Sequence, residues 1–186
     1  MQPKPWQKIS TQKVYNRSWF TVKEEACLLP DGKIINPYFI VDVPNWVNVI
    51  VVNDMQEMIM VQQYRHAAGI ITIEPTGGLI DENETPLDAA IREMQEETGY
   101  SSNDIQLLYE TYANPALQPT KAYFFLAKNA TKTANISLDE FEDVHTVHLS
   151  KQQVLTMLQE NQFHHSVQVG AIYKACIQLG WIQATN

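Results

Sequence analysis

The chain has 186 residues, enough for one sizeable domain with a small extension, and its hydrophobic fraction of 45% is ordinary for a globular protein. No apolar run approaches the roughly 20 residues of a membrane span. The formal net charge of −8 disfavours nonspecific nucleic-acid binding, which needs clustered Lys and Arg, but leaves phosphorylated small molecules open, since a metal ion supplies positive charge locally.

In chain order, residues 8–14 and 19–29 are β-rich. Pro30, Asp31 and Gly32 form a strong hairpin-turn signal, and residues 33–43 read as the next strand. Residues 47–52 are an apolar run suited to a buried strand. Asn53 and Asp54 turn the chain into a strand over 58–65, and another follows at 70–74. A helix is expected over 86–98, then strands over 105–112, 122–127 and 144–149. Residues 151–160 and 166–179 carry apolar residues at helical spacing, and Gly180 stops the second of these helices. This mixed order, strands with few helices, fits an α+β or αβα sandwich. The start, Met1-Gln2-Pro3-Lys4-Pro5, lacks an apolar signal region, so a cytoplasmic location is expected. Cys27 and Cys176 stand far apart without a partner motif and read as buried thiols rather than a disulfide or zinc site.

The segment 78–100, GLIDENETPLDAAIREMQEETGY, is the most informative. Thr85 suits the N-cap, Pro86 the first helical position, Asp88 the positive helix start and Gly99 a left-handed stop. Leu87, Ala90, Ile91 and Met94 form an apolar stripe expected to face the core. At roughly 100° per residue, Glu93, Glu96 and Glu97 share a neighbouring arc. Glu93 and Glu97 are a like-charge i,i+4 pair, destabilising by about 0.2–0.5 kcal/mol. Arg92, paired with Asp88 or Glu96, offsets part of this. A hard cation with oxygen ligands offsets the rest, and Mg²⁺ is the expected one, with Mn²⁺ a possible substitute. Upstream, Glu74-Pro75-Thr76-Gly77-Gly78 breaks the apolar strand, and paired glycines let backbone carbonyls approach a ligand closely. The bland alternative, a solvated acidic helix, does not account for those glycines.

These residues resemble the Nudix box, G-x5-E-x7-R-E-U-x-E-E-x-G-U with U bulky and apolar. Gly78, Glu84, Arg92, Glu93, Glu96, Glu97 and Gly99 match every fixed identity; Met94 fits the first U, and Tyr100 the second less well. The resemblance implies a Nudix-type αβα sandwich with a mixed sheet over residues 45–186, and an N-terminal antiparallel β extension over 1–44. It implies that Glu93 and Glu97 are metal ligands, Glu96 a further or water-mediated one, and the Gly77 carbonyl part of the set, with Glu97 at the catalytic centre. Arg92, oriented by Glu84, then braces the helix, while Gly78 and Gly99 are backbone devices.

The strands before residue 45 and the runs Val47-Asn48-Val49-Ile50 and Gln63-Tyr64-Arg65 are similar to the ADP-ribose pyrophosphatase branch. That likeness implies a homodimer built through the N-terminal sheet. In the same branch the catalytic base lies on a late loop, here residues 138–144, with Glu140 the first candidate and Glu142 the second; a solvated acidic turn is the plain alternative. Arg65 is a candidate for phosphate contact or a surface arginine. Trp46 is a candidate for stacking on a base or simple packing. The five histidines show no ligand spacing and read as surface or packing residues.

The implied reaction is metal-dependent hydrolysis of the diphosphate bond of ADP-ribose or a related nucleotide sugar, giving a nucleoside monophosphate and a sugar phosphate. Pro115 stands where that branch carries a proline, but Asn114-Pro115-Ala116-Leu117-Gln118-Pro119 lacks the glycine and acidic residue that commonly follow. Pyrophosphatases acting on NADH, dinucleotides or nucleoside triphosphates, and a noncatalytic nucleotide-binding module, are the alternatives.

Overall fold

The computed structural model describes residues 2–183. The chain groups into two compact units, one of residues up to 45 with 112–121, the other of residues 46–111 with those from 122 onward. The first holds a three-stranded antiparallel sheet of β1 (Gln7–Arg17), β2 (Phe20–Leu28) and β3 (Ile34–Asp42), in that order. The turn expected at Pro30-Asp31-Gly32 closes β2 onto β3, with Gly32 N–H donating to the Leu29 carbonyl at 3.0 Å. The 112–121 loop joins this unit through β3. Val41 N–H donates to the Leu117 carbonyl at 2.9 Å, and the Tyr38 hydroxyl to the Ala116 carbonyl at 2.7 Å.

The second unit is built on a seven-stranded mixed sheet. Its strands are β4 (Trp46–Asn53), β5 (Glu57–Arg65), β6 (Ile70–Glu74), β7 (Tyr100–Ser101), β8 (Asp104–Tyr112), β9 (Lys121–Lys132) and β10 (Val144–Ser150). The main order is β10-β5-β4-β9-β7, with β6 beside β5 and β8 beside β9. β4 runs parallel to β9 and antiparallel to β5. The helices are α1 (Pro86–Thr98), α2 (Lys151–Gln159) and α3 (Ser166–Gln178). Among the described residues no helix is long and apolar enough to cross a membrane. Cys27 and Cys176 are both buried thiols.

Period-2 alternation along β4 feeds two cores. Val47, Val49 and Val51 pack with Ala89, Ala90 and Met94 of α1 on one face. Ile50 and Val52 pack with Val154 and Leu158 of α2 and Ala171, Ile172 and Ala175 of α3 on the other. The sheet is therefore sandwiched between α1 and the α2–α3 pair. This is an α+β fold with a separate N-terminal antiparallel sheet, as expected.

The pairing of β5 decides where the site forms. Its first half pairs with β4 at Val51–Ile59 and Val52–Met58, while its second half pairs with β6 from Val61–Glu74 to Arg65–Ile70. The two strands therefore part company. The segment after β6 lies against the start of β4 instead, through bridges Val49–Thr76 and Trp46–Leu79. Val47 and Val49 N–H donate to the carbonyls of Gly78 and Thr76 at 2.9 and 2.8 Å. The glycine segment is thus laid over the sheet where α1 crosses it.

α1 is capped as its sequence indicates. Asp88 N–H donates to Thr85 Oγ1 at 3.2 Å, and Thr85 Oγ1 donates in turn to Asp88 Oδ2 at 2.6 Å. The buried face, however, is turned from the expected apolar stripe. Ala89, Ala90, Glu93, Met94, Glu97 and Thr98 are buried, while Leu87 stands 43% exposed. Turning the helix this way brings two carboxylates inward and leaves a leucine outside, which no core-packing rule would choose.

Gly99 ends α1 with φ +72°, its N–H donating to the Gln95 carbonyl. A β-carbon there would stand 2.4 Å from the Ala134 carbonyl oxygen. Gly99→Ala is therefore expected to lower unfolding free energy by at least about 1–2 kcal/mol, the left-handed cost for an L-residue. A chemical-denaturation midpoint equal to that of the parent protein would contradict this.

Candidate active site

The inward face of α1 sets Glu93 and Glu97 one helical turn apart, with residue exposures of 8% and 4%. Arg92 holds the acidic surface together. It pairs through Nε with Glu84 Oε1 at 2.9 Å, and through Nη1 with Glu93 Oε1 at 2.8 Å and Glu96 Oε2 at 3.0 Å. Its Nη2 donates to Glu84 Oε2 and to the Leu79 carbonyl. The Arg92 pKa is raised by these carboxylates, the Glu84 bond foremost, against the opposing effect of burial. Asp88 serves the helix cap instead, so Glu84, Glu93 and Glu96 are the partners this arginine takes.

The glycine segment closes over those carboxylates. Gly77 has φ +151°, and a β-carbon there would lie 2.1 Å from the Val47 carbonyl oxygen; at Gly78 one would lie 2.3 Å from Glu93 Oε1. Gly77 needs glycine, because the backbone of β4 lies against it, whereas a side chain at Gly78 would displace the Glu93 carboxylate. Gly77 N–H donates to Glu97 Oε2 at 2.8 Å, and the buried Thr76 hydroxyl bonds the same oxygen. Burial drives the Glu97 pKa upward. Thr76 and Gly77 oppose this, the charges of Glu93 and Glu142 add to it, and the result is about 7. Glu93 is raised as well, burial again leading.

These groups line an open cleft of about 1000 Å³. Trp46, Arg65, Gly77, Gly78, Arg92, Glu93, Glu97 and Glu142, all singled out from sequence, line it; Glu84, Glu96, Gly99 and Glu140 do not. In the acidic turn, Glu142 reaches the cleft while its carboxylate accepts from Asp139 N–H at 2.9 Å. Its charge is felt by both Glu93 and Glu97. Of the two candidates for the base, Glu142 lines the cleft, as do the flanking Asp139 and Asp143, and Glu140 does not.

Away from the carboxylates, Arg65 grips Glu74 with a two-pronged fork, Nε to Oε1 at 2.8 Å and Nη2 to Oε2 at 2.6 Å. Trp46 lines the cleft but packs edge-on against Phe124 and His165, with centroids 5.6 and 5.9 Å away. His164, exposed, and His165, packed against Trp46, line the cleft too. His165 Nδ1 is buried without a hydrogen-bond partner among the described residues, and burial lowers the pKa of this ring. Asn48, Glu74, Thr76 and Gln168 were given no role at the site by the sequence, although the first three stand in segments that it marks. Only the burial of a polar residue in an apolar strand, Asn48, offered a signal, and it names no partner.

Glu93 Oε2, Glu97 Oε1 and the Gly77 carbonyl accept no hydrogen bond among the described residues, and all three residues line the cleft. They are hard oxygen donors of the kind a divalent cation takes. Among the described residues no three acidic, histidine or cysteine side chains gather around one point. A cation held by one or two carboxylates, a backbone carbonyl and phosphate oxygens of a ligand fits this set better than an all-protein cage.

The sequence model of the NUDIX domain matches residues 44–167, and that of the nucleoside diphosphate sugar hydrolase N-terminal domain matches residues 6–41. The methanol dehydrogenase activator of Bacillus methanolicus is 27% identical over 88% of this chain and 89% of its own. The ADP-ribose pyrophosphatase of Bacillus subtilis (strain 168) is 26% identical over the same shares. The GDP-mannose pyrophosphatase of Klebsiella pneumoniae is 26% identical over 96% of this chain and 92% of its own. The crystal structure of an ADP compounds hydrolase shares the fold, with a TM-score of 0.83 at 20% identity, covering 98% of this chain and 100% of that one. With Gly78, Arg92, Glu93 and Glu97 of the box lining the cleft and the family match spanning most of the chain, the protein belongs to the Nudix hydrolase family.

Proposed function

We propose that the protein hydrolyses the diphosphate bond of ADP-ribose or a related nucleotide sugar, releasing a nucleoside monophosphate and a sugar phosphate. The observation that carries this is the pair Glu93 and Glu97, buried, lining the cleft, and each with one oxygen that accepts no hydrogen bond among the described residues. The names of two relatives, an ADP-ribose and a GDP-mannose pyrophosphatase, support the substrate class.

Glu93, Glu97 and the Gly77 carbonyl are the groups that would hold Mg²⁺, with Mn²⁺ as a substitute and Glu96 as an outer, water-mediated partner. When bound, the cation neutralises diphosphate charge and lowers the pKa of water. The remaining task is positioning and charge stabilisation. Arg65 offers the cleft its remaining guanidinium edge, suited to a phosphate oxygen. Arg92, braced by Glu84, keeps Glu93 in place without touching the substrate. Glu142 takes the proton of the attacking water, reaching the same carboxylate group from the acidic turn. Trp46 borders the space left for the nucleobase.

The active form is a homodimer through the N-terminal sheet. All eleven residues of β1 are exposed in the single chain, including Ile9, Val14 and Tyr15. Sedimentation equilibrium should give twice the chain mass, and Ile9→Lys with Tyr15→Lys should return a monomer.

Purified protein with Mg²⁺ should cleave ADP-ribose or GDP-sugars faster than NADH, dinucleotides or nucleoside triphosphates, and Glu97→Gln should abolish turnover. Equal activity of Glu97→Gln and the parent on every substrate would overturn the catalytic reading. Glu142→Gln should lower kcat by about 10²–10⁴, the usual worth of a positioned base, whereas Glu140→Gln should stay near the parent value.

A pH signature follows from Glu97. Its folded pKa of about 7 exceeds the ordinary 4.5, so without metal the folded state binds the extra proton. Stability of chelated protein should therefore fall as pH rises from about 4.5 to 7 and then level off. Adding Mg²⁺ should restore most stability at the upper end of that window, as thermal melts at fixed pH would show.

A further inference from the structure

The fork between Arg65 and Glu74 has a third member that comes from far along the chain. Gln168, on the first turn of α3 and 3% exposed, donates Nε2 to Glu74 Oε2 and to Asn48 Oδ1, each at 3.0 Å. Every direction in this network is fixed by its ends. Glu74 is ionised, its pKa held at about 2 because bonds from Arg65, Thr72 and Gln168 outweigh the upward push of burial, so it accepts only. Asn48 Nδ2 faces the carbonyls of Pro75 and Thr76, both 3.3 Å away, so its Oδ1 must accept. The two protons on Gln168 Nε2 satisfy both acceptors, and the amide has no alternative orientation that does so.

The two residues of the fork differ in freedom. The Glu74 side chain is 2% exposed, whereas that of Arg65 is 46% exposed and lines the cleft. With Nε and Nη2 committed to Glu74, the Nη1 edge meets no hydrogen-bond partner among the described residues. Where that edge points depends on where the Glu74 carboxylate lies, and Gln168 is what ties that carboxylate to α3 and β4. We propose that Gln168 is a positioning residue for substrate binding: acting through Glu74, it sets the direction of the Arg65 guanidinium toward the diphosphate. This rests on Arg65 being a diphosphate contact. Glu74 supplies the linkage, and Gln168 need not touch the substrate.

The test is a double-mutant cycle read in KM and kcat, with Mg²⁺ and whichever nucleotide sugar the parent cleaves best. Gln168→Met keeps the length and removes the donor; it should raise KM about tenfold while kcat changes far less, as for loss of binding shared by ground and transition states. Arg65→Ala should raise KM at least as much. In the Arg65→Ala background, Gln168→Met should then add almost nothing, because its route to the substrate is gone. A further tenfold rise in that background, or an unchanged KM for Gln168→Met alone, overturns the positioning role. An unchanged KM for Arg65→Ala instead removes the reading of Arg65 on which the proposal stands. Should Gln168→Met fail to fold, Gln168→Asn retains the amide with a shorter reach; it should give an intermediate KM rise that likewise vanishes with Arg65→Ala. Persistence of that rise overturns the proposal equally.

Discussion

The site depends on one arginine set among carboxylates. Arg92 meets Glu84, Glu93 and Glu96 and also reaches the Leu79 carbonyl. Without it, α1 would present three glutamates to one another, two of them nearly removed from water. Like charges at that spacing repel, and burial raises the cost of each. A single guanidinium, planar and permanently charged, answers several carboxylates at once in a way a lysine ammonium does not. It also ties the helix to both sides of the loop before it. The placement of the Glu93 carboxylate on the cleft is therefore inherited from an ion-pair network centred on Arg92.

The local chemistry of α1 was legible in its sequence. Thr85, Pro86 and Gly99 fix its limits through capping rules that act within a few residues, and the spacing of Glu93, Glu96 and Glu97 follows from helix geometry. The side that faces inward was not legible. An amphipathic reading assumes that apolar residues decide burial, and it chose Leu87. Here the close approach of Gly78 and the bonds from Thr76 and Gly77 draw Glu93 and Glu97 in instead. A helix that serves a charged site can break the apolar rule because the loop opposite supplies what the charges need.

Long-range partners were beyond reach for a different reason. Gln168 meets Asn48 across 120 positions and Glu74 across 94. No local spacing encodes such a meeting; it exists only once α3 has packed on the face of the sheet opposite α1. The acidic turn shows the same limit at short range. Asp139, Glu140, Glu142 and Asp143 are all suited to a base by composition, and only the backbone turn, closed by Asp139 and Glu142, brings three of them to the cleft and leaves Glu140 off its lining.

The parting of β4 from β5 also has a bearing on how the cleft can vary. Beyond Met60, the β5–β6 hairpin leaves β4 and closes through a tight turn in which Ala68 and Gly69 N–H donate to the Arg65 carbonyl. That turn stands on the cleft rim, while the carboxylate helix is anchored on the other side of the glycine segment. Residues inserted at the turn would deepen one wall without lengthening any strand that α1 packs against. The depth of that wall is thus separable, within the same fold, from the helix that carries Glu93 and Glu97.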